Sequence, residues 1–247
     1  MTDATAAASS RPTVALVHGA FADSSGWNDV VEQLQAAGIA VQAISNPLRG
    51  ITADAAYVAS AIGQIPGPVL AVGHSYGGAV ITNAAPRAGN VVGLVYVAAF
   101  APDEGEILAD IESDSKDSVL NSALLQLQYP AGQGSETAVE FAIDPGKFHQ
   151  VFAADLAEKQ AAVMAATQRP VAAAAFAEPN GTPAWRSLPS WAVIAAGDKA
   201  AGSDVVRSMA QRAGSAITEV EGSHVIMISQ PQAVTDVIRQ AIDGVTH

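Results

Sequence analysis

Apolar residues recur along this chain in two patterns that alternate, short continuous runs and stripes with the period of a helix. Between the runs, apolar side chains return every three or four residues, as from Trp27 to Leu34 and from Val234 to Val245. The runs have the length and composition of strands that are covered on both faces. They span residues 13–17, 39–44, 69–72, 91–100, 191–196 and 216–220. This alternation predicts an α/β fold with a mostly parallel, doubly wound sheet of about six strands.

About ninety residues between the fourth and fifth of these runs interrupt the alternation. They are too many for one crossover and too regularly patterned for a loop. We therefore predict a core made of residues 12–100 and 186–247, with residues 101–185 inserted as a cap. The small and polar residues 1–11 are predicted to be a flexible tail. Such a cap over the carboxyl ends of the strands would exclude water and shape an apolar pocket.

The predicted cap has local patterns of its own. Apolar and polar residues alternate over residues 125–129 and again over residues 139–143, on either side of a glycine-containing turn. This arrangement predicts a β-hairpin. Residues 153–168 have a helix-forming composition that stops before Pro170, which predicts a helix.

Composition and charge narrow the classes of partner. The chain is 49% hydrophobic and 15% charged, with a net charge of −12, which predicts a globular protein that repels nucleic acid, anionic membranes and strongly anionic substrates. It has no cysteine, so disulfides and thiolate metal sites are excluded. Neither a secretory signal pattern nor an apolar run of about 18 residues is present. We expect a cytoplasmic protein with a small-molecule substrate and without a nucleic-acid or membrane partner, and its oligomeric state is open.

A serine stands at the sharpest turn that the sequence predicts. Gly73 and Gly77 flank Ser75 between an apolar run and a helix start, which is the G-x-S-x-G pattern of a nucleophile elbow. The flanking glycines avoid steric clashes in a tight strand-to-helix turn. The helix that follows directs its amides and its positive dipole end toward the serine. The pattern predicts Ser75 as a catalytic nucleophile.

An acid and a base follow Ser75 at the ends of later predicted strands. Asp198 ends the run that begins near Trp191, and His224 follows the last run. The chain order of serine, aspartate and histidine is that of α/β hydrolases and differs from the other two common serine-triad scaffolds. An alternative acid is Asp103, which follows the preceding strand, but it lies among acidic residues beyond Pro102 and has the pattern of a solvated turn. We therefore predict Asp198 as the acid and His224 as the base.

Further site residues are predicted around this triad. The oxyanion hole should use the amide of the residue after the nucleophile, Tyr76, and an amide from the loop after the first strand. That second amide belongs to Ala20, with Phe21 as the alternative. Phe21, Phe100 and Val225 are predicted to line the substrate pocket. Two more histidines, His18 at a strand end and His74 beside the nucleophile, are predicted to be structural.

Several motifs together resemble one group of small capped esterases, the plant methylesterases and hydroxynitrile lyases of the α/β-hydrolase superfamily. The matching segments are Val17-His18-Gly19-Ala20 with Trp27, Gly73-His74-Ser75-Tyr76-Gly77-Gly78, Gly197-Asp198-Lys199, and the stretch from Glu221 to Pro231. The resemblance covers most of the chain outside the cap. It implies Ser75, Asp198 and His224 as the triad, Ala20 and Tyr76 as oxyanion donors, and no cofactor or metal.

The chain departs from the hydroxynitrile lyases at two positions. Those enzymes have a threonine where this chain has Gly19 and a lysine where it has Val225. Without the positive charge of that lysine, stabilisation of a departing cyanide has no evident source. We therefore predict a serine hydrolase that cleaves a small apolar carboxylic ester through an acyl-enzyme. The alternatives are a small-molecule receptor and a non-hydrolytic enzyme of the same fold, a lyase or a cofactor-free oxidase.

Overall fold

Ten helices and nine strands form the part of the chain that the computed structural model describes, residues 11–132 and 134–246. The strands are β1 Thr13–Val17, β2 Val41–Ile44, β3 Val69–His74, β4 Val91–Val97, β5 Leu124–Pro130, β6 Thr137–Ile143, β7 Val171–Ala172, β8 Ser190–Ala195 and β9 Ala216–Val220. The helices are α1 Asn28–Ala36, α2 Ile51–Gly63, α3 Tyr76–Ala88, α4 Leu108–Ser113, α5 Pro145–Phe152, α6 Glu158–Thr167, α7 Ala174–Ala177, α8 Ser203–Arg212, α9 Ile226–Ser229 and α10 Pro231–Val245. Within these described residues, no helix has both the length and the apolar character needed to cross a membrane. Ten of the residues predicted as a tail, 1–10, lie outside the described part.

Six parallel strands form the central sheet in the order β2-β1-β3-β4-β8-β9. Helix α1 packs beside α10, and α2 packs beside α3, so that the apolar strands are enclosed by helices. The predicted α/β fold with about six strands is confirmed. The fourth strand is shorter than predicted and ends at Val97, because Ala98 takes a left-handed conformation with φ 44° that extended strands do not have.

A second sheet lies in the segment between β4 and β8. Its order is β5-β6-β7, and all its pairs are antiparallel. Leu124 pairs with Ile143 and Pro130 with Thr137, so the predicted hairpin is confirmed. The division into core and cap at residues 101 and 185 stays a prediction.

The helix predicted over residues 153–168 is shorter in the structure. It begins only at Glu158. Ala153 instead is the C-cap residue of α5, with φ −138°. The reason is a tertiary contact of the intervening loop, in which Asp155 accepts hydrogen bonds from the backbone amide and the hydroxyl of Ser223. A carboxylate held by a distant loop outweighs the weak local preference for helix.

Candidate active site

Ser75 sits between β3 and α3 in a strained conformation, with φ 54° and ψ −126°. Such a backbone costs a non-glycine residue about 1–3 kcal/mol and persists only where the surroundings enforce it. The surroundings here are backbone groups. A Cβ at Gly73 would lie 2.5 Å from the Gly77 carbonyl oxygen, and one at Gly77 would lie 2.4 Å from the Val17 carbonyl oxygen. Both glycines of the predicted elbow are therefore sterically required.

The loop after β1 lies directly against Ser75. A Cβ at Gly19 would come within 2.6 Å of the Ser75 Cβ and 3.2 Å of its Oγ, so this backbone leaves no room for the threonine of the hydroxynitrile lyases. The close approach brings the next residue, Ala20, to the nucleophile. Tyr76 is the first residue of α3, and its amide therefore precedes the helical hydrogen-bond ladder. Ala20 lines the same cavity as Ser75, and Tyr76 follows Ser75 directly; their role as oxyanion donors stays a prediction.

Asp198 and His224 are joined by a hydrogen bond between Asp198 Oδ2 and His224 Nδ1, which are 2.8 Å apart. Both side chains are 1% exposed. The other carboxylate oxygen, Oδ1, accepts hydrogen bonds from the amides of Ala200 and Ala201 at 2.9 and 3.0 Å. These contacts hold the carboxylate in place, and its bond to Nδ1 orients the imidazole.

Asp103, the alternative acid, has other partners. Its Oδ1 accepts a hydrogen bond from Arg186 at 2.5 Å, and its side chain is 28% exposed. The structure therefore brings Asp198, and not Asp103, to His224.

The two histidines that were predicted to be structural, His18 and His74, are buried and hydrogen-bonded. His18 Nε2 accepts a hydrogen bond from the Asn46 amide at 2.9 Å, while Nδ1 lies 2.9 Å from the Gly19 carbonyl oxygen. Burial lowers the pKa of His18 to about 4, so the ring is neutral. His74 Nε2 lies 2.9 Å from the backbone carbonyl oxygen of His224. Burial and the nearby charge of a protonated His224 lower the pKa of His74 far below its usual range, so the ring is neutral. Because a carbonyl oxygen can only accept, Nε2 carries the proton and donates it to this hydrogen bond.

Ser75 and His224 line one small cavity. Its remaining walls are apolar side chains from the core and from the segment between β4 and β8: Ala20, Phe21, Phe100, Leu120, Phe152, Phe176, Ala200 and Ala201. The centre of a water molecule can occupy only about 10 Å³ of this cavity, so the cavity has room for roughly one water molecule. Two of the predicted pocket residues, Phe21 and Phe100, belong to this cavity. The third, Val225, does not, because it faces an adjoining cleft.

Comparison with protein families decides the classification. Residues 14–237 match the model of the alpha/beta hydrolase family. The chain belongs to this family. Sequence comparison with curated proteins gives no significant match.

Solved structures show how widely this alpha/beta hydrolase fold is shared. The chain resembles polyneuridine aldehyde esterase at 19% identity and a TM-score of 0.76, with 94% of this chain and 99% of that one covered. It resembles a pyrethroid hydrolase from Sphingobium faniae at 20% identity and a TM-score of 0.73, covering 94% and 97%. Tomato methylketone synthase I, in complex with 2-tridecanone, is 16% identical with a TM-score of 0.74, covering 96% and 99%. At these identities the likeness establishes the fold.

Three of the side-chain hydrogen bonds between the segment from β4 to β8 and loops near the site were not predicted by the sequence analysis. The first is the contact of Asp155 with Ser223, next to the histidine. The second is Arg169, whose Nη1 donates to the carbonyl oxygen of Asn46, in the loop after β2, at 2.8 Å and lies 3.3 Å from His18 Nε2, in the loop after β1. The third is the hydroxyl of Ser118, which donates to the Ala200 carbonyl oxygen at 2.7 Å. Residues so far apart along the chain share no local pattern that would have revealed these contacts.

Helix α4 has a buried carboxyl group, Glu112, near the hydrogen bond between Ser118 and Ala200. Glu112 is 6% exposed, and its Oε1 lies 3.3 Å from the Ser118 hydroxyl. Burial raises the pKa of Glu112 to about 7, although the bond to Ser118 and the charge of a protonated His224 act in the opposite direction. Near neutral pH, Glu112 is therefore partly protonated.

We expect the stability of the protein to fall as pH rises because of Glu112. The folded pKa of about 7 exceeds the ordinary value of 4.5, so the folded state holds the proton more firmly and loses this advantage between pH 4.5 and pH 7. Glu112→Gln removes the titration. The free energy of unfolding of Glu112→Gln minus that of wild type should therefore rise by about 3 kcal/mol from pH 4.5 to pH 8. Urea titration at the two pH values measures this difference. Glu32→Gln, at an exposed position, controls for the lost charge. An equal pH dependence in both variants would contradict the assignment.

Proposed function

We propose that this alpha/beta hydrolase is a serine esterase that cleaves a small apolar carboxylic ester through an acyl-enzyme. The observation that carries the proposal is the buried hydrogen bond between Asp198 Oδ2 and His224 Nδ1 beside a strained serine. A serine, a histidine and a buried carboxylate that follow β3, β9 and β8 of one parallel sheet form the constellation that serine hydrolases use. The family match supports the same reaction class.

The first half of the reaction acylates Ser75. Because Nδ1 of His224 is bonded to Asp198, Nε2 is the ring nitrogen left to accept the hydroxyl proton. Oγ of Ser75 then attacks the ester carbonyl carbon, and the amides of Ala20 and Tyr76 stabilise the negative charge on the carbonyl oxygen. As the bond to the alcohol oxygen breaks, the imidazolium returns its proton to that oxygen. The alcohol leaves, and the acyl group stays on the serine.

The second half of the reaction repeats these roles with water. His224 removes a proton from a water molecule, whose oxygen attacks the acyl carbon, and the same two amides hold the oxyanion. The bond to Ser75 Oγ breaks, and the serine recovers its proton from His224. One ester and one water give one acid and one alcohol. Throughout, the carboxylate of Asp198 stabilises the positive charge on the imidazole.

The walls of the cavity favour an apolar substrate. Apart from Ser75 and His224, every side chain that lines it is apolar, so a charged acyl group would lose its hydration without a partner. Two similar structures are named polyneuridine aldehyde esterase and pyrethroid hydrolase, which fits hydrolysis as the reaction.

A serine-directed organophosphate tests the proposal. We expect diisopropyl fluorophosphate to label the protein once, with the adduct mapped to Ser75 by peptide mass spectrometry, and to abolish hydrolysis of p-nitrophenyl acetate in proportion to labelling. His224→Ala should lose both labelling and turnover, since the serine then lacks its base. Neither labelling nor turnover in the folded wild-type protein would favour a small-molecule receptor. Labelling without turnover of any ester would favour a non-hydrolytic enzyme.

A further inference from the structure

A second cleft adjoins the catalytic cavity. It is formed by the loop after β1, by the last turn of α6 and by residues that follow His224. It is open to solvent and holds about 350 Å³ of space free of atoms, against about 230 Å³ in the catalytic cavity. Its lining residues are Phe21, Ala22, Asp23, Ser25, Gly26, Met164, Thr167, Gln168, Val225 and Met227. Phe21 lines both spaces, and Val225 follows the catalytic base directly. We call this space the outer cleft.

The catalytic cavity by itself is too small for a whole ester. Its 10 Å³ of space for a water-sized sphere compares with about 40 Å³ in the outer cleft. One half of the substrate therefore has to extend out of the cavity, and the outer cleft is the space that Phe21 shares with it.

The chemistry of His224 decides which half extends. To protonate the leaving alcohol, the imidazole must lie within hydrogen-bond reach of the alcohol oxygen, about 3 Å. The alcohol half of the ester therefore lies on the histidine side of the carbonyl carbon. Val225, directly after the histidine, and Met227, three positions after it, line the outer cleft and not the catalytic cavity.

The lining of the outer cleft combines apolar side chains with one carboxylate. Phe21, Met164, Val225 and Met227 supply the apolar part, and Asp23 supplies a carboxylate. Burial alone would raise the pKa of Asp23, but hydrogen bonds from Ser25 bring it below its usual value. Asp23 is therefore an anion at neutral pH.

We propose that the outer cleft binds the alcohol half of the ester, and that the alcohol preferred there is apolar with a neutral or cationic far end. This inference rests on the ester hydrolysis proposed above. It assigns Met164 and Thr167 to the specificity for alcohol size, and Asp23 to the discrimination of charge. An alcohol that carries a carboxylate would meet the Asp23 anion and be rejected.

Two substitutions on α6 test the size preference. Thr167 and Ala166 are both exposed, but only Thr167 lines the cleft, so Ala166→Trp is a matched control for Thr167→Trp. We expect Thr167→Trp to lower kcat/KM for hexyl acetate by about tenfold or more while leaving ethyl acetate within threefold. Met164→Ala, which widens the cleft, should shift the preference toward longer alcohols. Both acetates have similar leaving groups, so the ratio reports binding of the alcohol.

The outcomes separate the two proposals. If the folded wild-type protein hydrolyses neither acetate, the proposed function fails. If it hydrolyses both and Thr167→Trp changes their ratio no more than Ala166→Trp, the outer cleft is not the alcohol site, and the esterase proposal stands. If the ratio of kcat/KM for hexyl acetate to that for ethyl acetate is the same in Met164→Ala as in wild type, this result too would contradict the outer cleft as the alcohol site.

A pair of isosteric esters tests the charge preference. Acetylcholine and 3,3-dimethylbutyl acetate have nearly the same shape but differ by one positive charge. We expect Asp23→Asn, which keeps an oxygen for the Ser25 amide, to lower the ratio of their kcat/KM values about three- to tenfold. Asp29→Asn, at an exposed site on α1, removes the same charge elsewhere and should leave the ratio within twofold. Equal ratios in the two variants would overturn the role of Asp23.

Discussion

Replacing Ser75 by alanine is expected to lower kcat for ester hydrolysis by about three to six orders of magnitude. The variant has no nucleophile, so acyl-enzyme cannot form, and only the oxyanion donors and substrate binding remain. The measurement is release of p-nitrophenol from p-nitrophenyl acetate under saturating conditions. A fresh preparation free of other esterases is needed, because a trace of contaminant would hide a loss of this size.

The fold should survive this substitution. Ser75 is 6% exposed, and alanine keeps its Cβ, which packs near Gly19, while removing only the hydroxyl. We therefore expect the same circular dichroism spectrum and a similar melting temperature. Turnover within tenfold of wild type in such a folded variant would exclude Ser75 as the nucleophile.

Asp198→Asn is expected to lower kcat by about 10⁴, as in serine triads where the same change was made. An asparagine can still accept hydrogen bonds from the amides of Ala200 and Ala201, but its amide group then faces His224 Nδ1. That contact favours the tautomer with the proton on Nε2, which cannot accept the serine proton. The imidazolium formed in the reaction would also lose its compensating charge.

Asp103→Asn is the control, because it removes the alternative carboxylate, which lies in the segment after β4. Its partner is the exposed Arg186, and surface ion pairs of this kind contribute only about 0–1 kcal/mol to stability. We expect kcat within about twofold of wild type. Loss of activity in Asp103→Asn together with normal activity in Asp198→Asn would move the acid to the earlier strand.

Local patterns in the sequence were sufficient for the parts of this protein that depend on neighbouring residues. Runs such as residues 69–72 indicated buried strands because a strand covered on both faces needs apolar side chains throughout. The glycines on both sides of Ser75 indicated the elbow because a tight strand-to-helix turn leaves no room for a Cβ at the flanking positions. Chain order then related Ser75 to the acid and the base, since strand ends of a parallel sheet meet at one edge.

Only the tertiary structure decided which distant groups meet. Asp198 and Asp103 both follow strands, and the choice between them depended on which carboxylate reaches His224. The loop at residues 153–157 is not helical because Asp155 binds Ser223, 68 positions away. Val225 lines the outer cleft together with Met164 and Thr167 of α6, about sixty positions away in the chain. Contacts of this kind depend on the packing of whole elements, which leaves no periodic signal in either of the segments that it joins.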